Sequence, residues 1–364
     1  MVSDVTAVDY MARALFLAER GRGRTHPNPM VGAVVVSQEG VVIGQGFHER
    51  AGGPHAEVRA LDMAGPRARG ATLYCTLEPC CHVGRTPPCV DRIIEAGVRS
   101  VVAATEDPNP AVRGRGFAYL RAAGVDVQVG IRAELAVRLN QPFFTLMRER
   151  RPFVLLKAAT SLDGCIASAP GRRTSLTGSA ANRHAHRFRA EVDAIGVGAG
   201  TILADDPLLT VRGVYRERPL TRVIFDRRLR TPPDARVLST RDAGPVIIVT
   251  TAAAAARGGA RVALEASGAE IEIAQDGTFR AELEPLASRQ ISLLLLEGGG
   301  ELQCAAWDER LVDFVRLYVT PNVIGPAGVP FLAGRRFATS ELIERRVEVL
   351  GPDSLIEGYV HWPH

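Results

Sequence analysis

Along its whole length the 364-residue chain alternates short β-rich runs with stretches of helical periodicity, and one charged, proline-ended break interrupts the pattern at residues 147–152 (MRERRP). Alternation of this kind builds layered α/β domains, in which helices cover a sheet. Domains mostly hold about 100–200 residues, so this length suits two of them. The break divides the chain into 1–149 and 150–364. In the first part the spacing predicts a helix over 5–18. Residues 31–36 and 41–47 read as strands joined in a hairpin through Gln38-Glu39-Gly40. A helix over 56–64, a strand over 71–77, a helix over 90–96, a strand over 100–105 and helices over 115–123 and 132–146 follow. The second part opens with an apolar strand over 153–159. Further strands are expected at 194–197, 222–225, 246–250, 292–296 and 314–319. A run such as Leu293-Leu294-Leu295-Leu296 suits a sheet covered on both faces.

Composition narrows the classes of function. With 46% hydrophobic and 23% charged residues the chain can bury a sizeable core. A net charge of +4 suits small phosphorylated ligands as well as it suits nucleic acid, and so selects neither. No run approaches the roughly 18 apolar residues of a membrane span, and residues 1–10 lack the pattern of a secretory signal. The expectation is a cytoplasmic protein with no membrane partner. Six cysteines are too few for a disulfide scaffold, and four of them, Cys75, Cys80, Cys81 and Cys89, are clustered, which points to metal or catalysis. The 44 basic residues include a single lysine, Lys157; the rest are arginine. The plain reading of so many arginines is a coding bias that replaces lysine wherever either residue serves. A lysine that survives such a bias either persists by chance or is needed as an ammonium, which arginine does not replace.

The sharpest local signal is His55-Ala56-Glu57, followed by Glu78-Pro79-Cys80 and then Cys89. A catalytic zinc takes three protein ligands and keeps one position open for water, whose ionisation it brings near neutral pH. One imidazole and two thiolates supply three ligands, and Glu57, two residues beyond His55, suits a proton shuttle that does not bind the metal. This is the zinc nucleobase-deaminase pattern, with one departure: the common form is P-C-x-x-C, whereas eight residues separate Cys80 from Cys89. A local alternative pairs Cys80 with Cys81 or His82. A structural zinc is the other alternative, although such sites usually take four ligands in two close pairs.

Longer motifs carry a family resemblance. His26-Pro27-Asn28-Pro29-Met30-Val31-Gly32, the His55-Ala56-Glu57 triplet and the stretch from Pro79 to Cys89 (PCCHVGRTPPC) are similar to the deaminase half of the bifunctional riboflavin biosynthesis (RibD) family. In that family the insertion between the two cysteines is itself characteristic. The resemblance implies His55, Cys80 and Cys89 as zinc ligands and Glu57 as proton shuttle. It also implies Asn28, His48, His82 and Arg85 as substrate contacts. An arginine suits the phosphate of a ribosyl-pyrimidine.

In the second part, Lys157 precedes Thr160-Ser161-Leu162-Asp163-Gly164, and the strand at 292–296 runs into Glu297-Gly298-Gly299-Gly300. Three glycines between a strand and a helix can cradle a pyrophosphate, but glycine turns after strands are common. Together with the block from Thr201 to Arg212 (TILADDPLLTVR), these motifs resemble the reductase half of the same family, so the resemblance spans nearly the whole chain. It implies a cytidine-deaminase-like three-layer domain followed by a dihydrofolate-reductase-like α/β domain. One zinc ion would serve the first and NADPH the second. NADPH contacts are implied at Thr160, Ser175, Thr201, Asp205, Gly298, Gly299 and Gly300. Substrate contacts are implied at Arg173, Arg189, Leu209, Arg212 and Glu297. Lys157 and Asp205 are both candidates for the proton donor. Ser175 departs from the family, in which many members carry tryptophan at that place.

The implied function is deamination of a phosphorylated ribosylamino-pyrimidinone and then reduction of its ribosyl group. The implied partner is that small molecule, not nucleic acid, and the reductase fold implies a homo-oligomer. A rival reading is a tRNA or nucleic-acid base deaminase with an accessory domain. That reading asks for stacking aromatics, and aromatic content is only 5%. In a non-catalytic protein with structural zinc, Glu57 would have no task.

Overall fold

A computed structural model describes residues 4–83, 87–172 and 174–361. The chain divides into two compact units, Met1–Glu149 and Arg150–His364.

In the first unit the order is α1 (Asp4–Glu19), β1 (Gly32–Val36), β2 (Val42–Phe47), α2 (Ala56–Ala64), β3 (Thr72–Cys75), α3 (Cys89–Glu95), β4 (Ser100–Ala103), α4 (Arg115–Ala122), β5 (Asp126–Val129), α5 (Ala133–Leu139) and α6 (Gln141–Glu149). The strands form one sheet in the order β2-β1-β3-β4-β5. β1 is antiparallel to both neighbours, and β3, β4 and β5 run parallel. Successive side chains alternate between the faces of a strand. Ala33, Val35, Leu73, Cys75, Val101 and Ala103 accordingly join one core cluster with residues of α2, α3 and α4. Val34, Val36, Tyr74 and Val102 join another with α1 and α5. Glycines on β2 let α2 approach closely: a Cβ at Gly44 would stand 2.1 Å from the carbonyl oxygen of Ala60. That approach fixes the helix on which Glu57 stands.

Two expectations change here. The single helix expected over 132–146 is two helices, α5 and α6, broken at Asn140. The buried Asn140 side chain accepts the Met30 N–H (2.7 Å) and donates to the Met30 carbonyl (2.8 Å), and Pro142 lacks the N–H a continuous helix would need. The expected break over 147–152 is also partly helical. α6 runs to Glu149, and Arg151, 2% exposed, pairs with Asp313 in the second unit's core.

The second unit continues with β6 (Phe153–Thr160), β7 (Cys165–Ala167), α7 (Ser179–Arg189), β8 (Ala194–Gly198), α8 (Ala199–Asp205), β9 (Thr221–Phe225), α9 (Arg236–Ser239), β10 (Val246–Thr251), α10 (Ala252–Ala255), α11 (Gly259–Ala266) and β11 (Glu270–Ala274). It ends with α12 (Phe279–Ser288), β12 (Leu293–Leu296), α13 (Gly300–Asp308), β13 (Phe314–Val319), β14 (Val329–Pro330), β15 (Ile343–Leu350) and β16 (Asp353–Tyr359). Nine strands form one sheet in the order β11-β10-β9-β8-β12-β6-β13-β16-β15. It is parallel from β11 to β13 and antiparallel beyond. β7 and β14 pair separately. The leucine run of β12 lies near the centre. Leu294 and Leu296 belong to the core on one face and Leu295 to the core on the other, as expected for a doubly covered strand.

Candidate active sites

In the first unit two helix starts and one turn meet. His55 is the N-cap of α2, Glu57 lies in its first turn, and Cys89 opens α3. Cys80 lies in the turn after β3. It is held there by two bonds from α3, Val90 N–H to the Cys80 carbonyl (3.2 Å) and Cys89 N–H to the Cys80 sulfur (3.3 Å). His55 Nδ1 stands 3.2 Å from Cys89 Sγ and 3.5 Å from Cys80 Sγ, and all three donor atoms lie within 4.8 Å of one another. A tetrahedral zinc with ordinary Zn–N and Zn–S bonds sets its ligand atoms roughly 3.5–3.8 Å apart. The donor set therefore fits the ion in number and chemistry, and its two nitrogen–sulfur distances lie within a few tenths of an ångström of that spacing. Hydrogen bonds from the Cys89 thiol and from His55 outweigh burial and hold Cys80 down at about 4, so this sulfur is a thiolate ready to bind metal.

Glu57 is 3% exposed, and its Oε2 has no hydrogen-bond partner among the described residues. Burial raises its affinity for a proton. Asn28 and His48 come together beside this cluster. Asn28 Nδ2 is 3.1 Å from His48 Nε2, while His48 Nδ1 faces the Pro54 carbonyl at 3.2 Å. The rings of His48 and His55 meet edge to face at 5.2 Å. Burial keeps His48 toward its neutral form, so one ring nitrogen donates and the other accepts. His82 is exposed, and Arg85 lies outside the described residues.

Glu78 belongs to the Glu-Pro-Cys motif, yet nothing in the motif assigns it a task. Its carboxylate, 3% exposed, accepts four backbone N–H groups: Asp107 (3.2 Å), Gly114 (2.9 Å), Gly116 (2.9 Å) and Phe117 (3.2 Å). It thereby ties the segment from Asp107 into α4 to the turn that bears Cys80. Asp107 is buried on that segment. Burial pushes its carboxyl up to about 7, and the nearby charges of Glu78, Cys80 and Glu57 add to the rise.

In the second unit most of the expected residues gather at the carboxyl ends of β6, β8 and β12, where open parallel sheets bind ligands. Thr201 Oγ1 accepts the Gly299 N–H at 3.0 Å. Gly298 has φ +101°, and a Cβ there would meet Thr201 Oγ1 at 2.6 Å, so the loop needs glycine on both counts. Gly299 caps the nine-residue α13, and the nearest atom to a Cβ placed on it is 3.7 Å away. This open glycine cradle at a helix start fits the pyrophosphate of a dinucleotide. Thr160, at the end of β6, is buried, Asp205 ends α8 and Ser175 is exposed. Arg173 lies outside the described residues.

The charged residues form one cluster. Arg189 binds both oxygens of Glu297, at 2.6 and 2.9 Å, and Lys157 Nζ stands 3.9 Å from the same carboxylate. Burial would raise Glu297, but the Arg189 and Lys157 charges prevail and hold it at about 2. Burial lowers the Lys157 ammonium, which also lies over the Tyr318 ring at 5.5 Å. Leu209 is buried in the core under α8, and Arg212 is exposed, its N–H donating to His186 Nδ1 at 3.2 Å. Tyr318 and His184, bonded at 2.8 Å, lie beside this cluster and carry no motif that marks them in the sequence.

The chain is similar to known proteins in both parts. Residues 152–356 match the RibD C-terminal domain, and residues 5–105 match the cytidine and deoxycytidylate deaminase zinc-binding region. The chain is 41% identical over 350 residues to the riboflavin biosynthesis protein RibD of Aquifex aeolicus, covering 96% of this chain and 97% of that protein. Form 1 of Acinetobacter baumannii RibD superposes with a TM-score of 0.86 at 36% identity, covering 98% and 99%. A Thermotoga maritima diaminohydroxyphosphoribosylaminopyrimidine deaminase/5-amino-6-(5-phosphoribosylamino)uracil reductase superposes with a TM-score of 0.82 at 36% identity, covering 97% and 98%.

Proposed function

The chain belongs to the RibD family of bifunctional riboflavin biosynthesis enzymes, and on that premise we propose how its residues divide two successive reactions on one substrate. It is a deaminase and a reductase, and it uses zinc and NADPH. Residues 1–149 are assigned the hydrolytic removal of the 2-amino group of 2,5-diamino-6-ribosylamino-4(3H)-pyrimidinone 5′-phosphate. Residues 150–364 are assigned the reduction of the ribosyl group to ribityl. The observation that carries the reading is the meeting of His55, Cys80 and Cys89 beside a buried, unpartnered Glu57 oxygen.

In the deaminase unit His55, Cys80 and Cys89 would hold zinc, which lowers the pKa of a bound water and so supplies a nucleophile at neutral pH. Glu57 takes the proton from the attacking water and returns it to the departing amine. Its burial favours the protonated form once it has taken that proton. Asn28 and His48, bonded to each other, present a fixed pair of polar groups to the pyrimidine. Arg85 is assigned to the phosphate.

In the reductase unit NADPH supplies the hydride, and the protein's task is to position donor and acceptor. Thr201 and Gly298–Gly300 are assigned to the cofactor, with Thr160, Ser175 and Asp205. Arg212 is assigned to the substrate phosphate, and Arg173 and Leu209 are assigned to the substrate as well. Arg189 holds Glu297 ionised against the sugar, and Lys157, lowered by burial, is a stronger acid than a free lysine and suited to give a proton to the opening ring oxygen. Asp205 is the other candidate for that transfer, and Lys157→Met against Asp205→Asn in single turnover separates them. A cytoplasmic location and self-association complete the proposal. The test is ammonia release followed by NADPH oxidation from one sample of the diaminopyrimidinone phosphate.

A further inference from the structure

We propose that Arg216 is a positioning residue of the reductase site, locking the loop that carries Leu209 and Arg212 onto the end of the helix that carries Arg189. The inference rests on the assignment of the second unit as the reductase. Residues 206–220 connect α8 to β9, and three separate contacts stitch this connection to α7. Arg189 Nη1 donates to the Thr210 carbonyl at 3.4 Å. The Arg212 N–H donates to His186 Nδ1 at 3.2 Å. Arg216 makes the third contact, and the largest: its Nη1 donates to the carbonyls of Arg189 (3.2 Å), Ala190 (2.8 Å) and Val192 (2.8 Å). Its other nitrogens reach the carbonyls of Arg218 and Pro219, just before β9.

The chemistry explains why an arginine stands there. The last carbonyls of a helix have no partner within it, and the negative end of the helix dipole favours a cation. A planar guanidinium reaches the helix end and the strand entry at once, whereas an ammonium is a point donor and reaches one. Arg216 is half-buried, and burial with the neighbouring Arg218 lowers it to about 10, so it stays charged at neutral pH.

The consequence falls on Arg212. It is exposed and lies between the two tied positions Thr210 and Arg216. Without Arg216 the bonds at Thr210 and Arg212 still tie the middle of the loop to α7, and its ends keep the Arg236–Asp206 and Arg218–Asp193 contacts, but the strongest tie to the helix end is gone. The Arg212 guanidinium then samples more positions, and a phosphorylated substrate must order it on binding. The Gly298–Gly300 cradle has its own tie through Thr201 and does not depend on this loop.

The experiment compares Arg216→Ala and Arg216→Lys with wild type in the intact chain. For Arg216→Ala, KM for the deaminated, phosphorylated intermediate rises about tenfold or more, kcat at saturation stays within about threefold, and the Kd for NADPH stays within about twofold. Arg216→Lys raises KM less. Hydrogen exchange in a peptide spanning 207–219 accelerates in the alanine variant while a peptide spanning 298–308 is unchanged. An unmoved KM overturns the assignment, as does a joint loss of kcat, KM and NADPH binding. If the alanine variant fails to fold, the lysine variant decides by the same readouts. Absence of NADPH oxidation by wild type overturns the reductase reading, and this assignment with it. Wild-type turnover with an unmoved KM in the variant overturns this assignment alone.

Discussion

Arg189 and Glu297 form a part-buried bidentate ion pair that joins the last turn of α7 to the end of β12, 108 residues away. Fork-to-carboxylate pairing of this kind fixes both planes as well as both charges. Glu297 also faces Lys157, so one carboxylate sets the electrostatics of the assigned reductase site.

Glu297→Gln is expected to lower reductase kcat/KM by about a hundredfold, close to 2.7 kcal/mol of transition-state stabilisation. The amide leaves Arg189 without its counter-charge and lets the Lys157 ammonium fall further. The second effect is separable: the alkaline limb of the pH–rate profile, where Lys157 loses its proton, moves to lower pH in the variant. Steady-state NADPH oxidation between pH 5 and 9 measures both.

Glu78→Gln probes the first unit. A glutamine offers one acceptor oxygen and turns two N–H donors toward amides that also donate. The loss is expected to reach about 2–3 kcal/mol of stability for the first unit. Urea unfolding measures the loss, and hydrogen exchange should accelerate at Asp107, Gly114, Gly116 and Phe117. An unchanged midpoint would show that these four bonds contribute little.

The Arg151–Asp313 pair predicts a pH dependence of stability. Burial would raise Asp313, but hydrogen bonds from Arg151 and His361 and the Arg151 charge hold it below the usual carboxylate range. A carboxylate lowered on folding stabilises fully above its unfolded pKa, about 3.9, and that stabilisation disappears as pH falls through the lower folded value. Asp313→Asn should therefore melt well below wild type at pH 7, and the gap should narrow below about pH 4. A gap that widens on acidification contradicts this account.

The local and the long-range parts of these sites differ in how far the sequence reveals them. His55, Glu57, Cys80 and Cys89 are legible because zinc chemistry demands particular residue types at short spacing. The apolar strands β6, β8, β12 and β13 are legible because two covered faces leave continuous runs such as Leu293–Leu296. β15 escapes because its exposed residues, Arg345 to Val349, show no burial pattern, and β5 escapes for the same reason. Glu78 binds backbone amides, which leave no trace in residue type. Arg151 looks like part of a charged linker until its partner, 162 positions away, is seen. The break at Asn140 depends on Met30, 110 residues earlier, which no local periodicity reports.

Metal removal should separate the two activities. A chelator that strips zinc abolishes ammonia release but leaves NADPH oxidation intact when the deaminated intermediate is supplied. Cys80→Ser or Cys89→Ser should have the same effect, with zinc content falling well below one per chain. Loss of both activities on chelation would contradict a zinc role confined to the first unit.

The most direct test of the central claim is the two-stage assay with Glu57→Gln beside wild type, both loaded with zinc. The account predicts that wild type releases ammonia from the diaminopyrimidinone phosphate and then oxidises NADPH. The variant should bind zinc normally, release ammonia at least about a thousandfold more slowly, and oxidise NADPH at the wild-type rate once given the deaminated intermediate. Ammonia release by Glu57→Gln at the wild-type rate would contradict the assignment of Glu57. No ammonia from zinc-loaded wild type would contradict the deaminase reading itself.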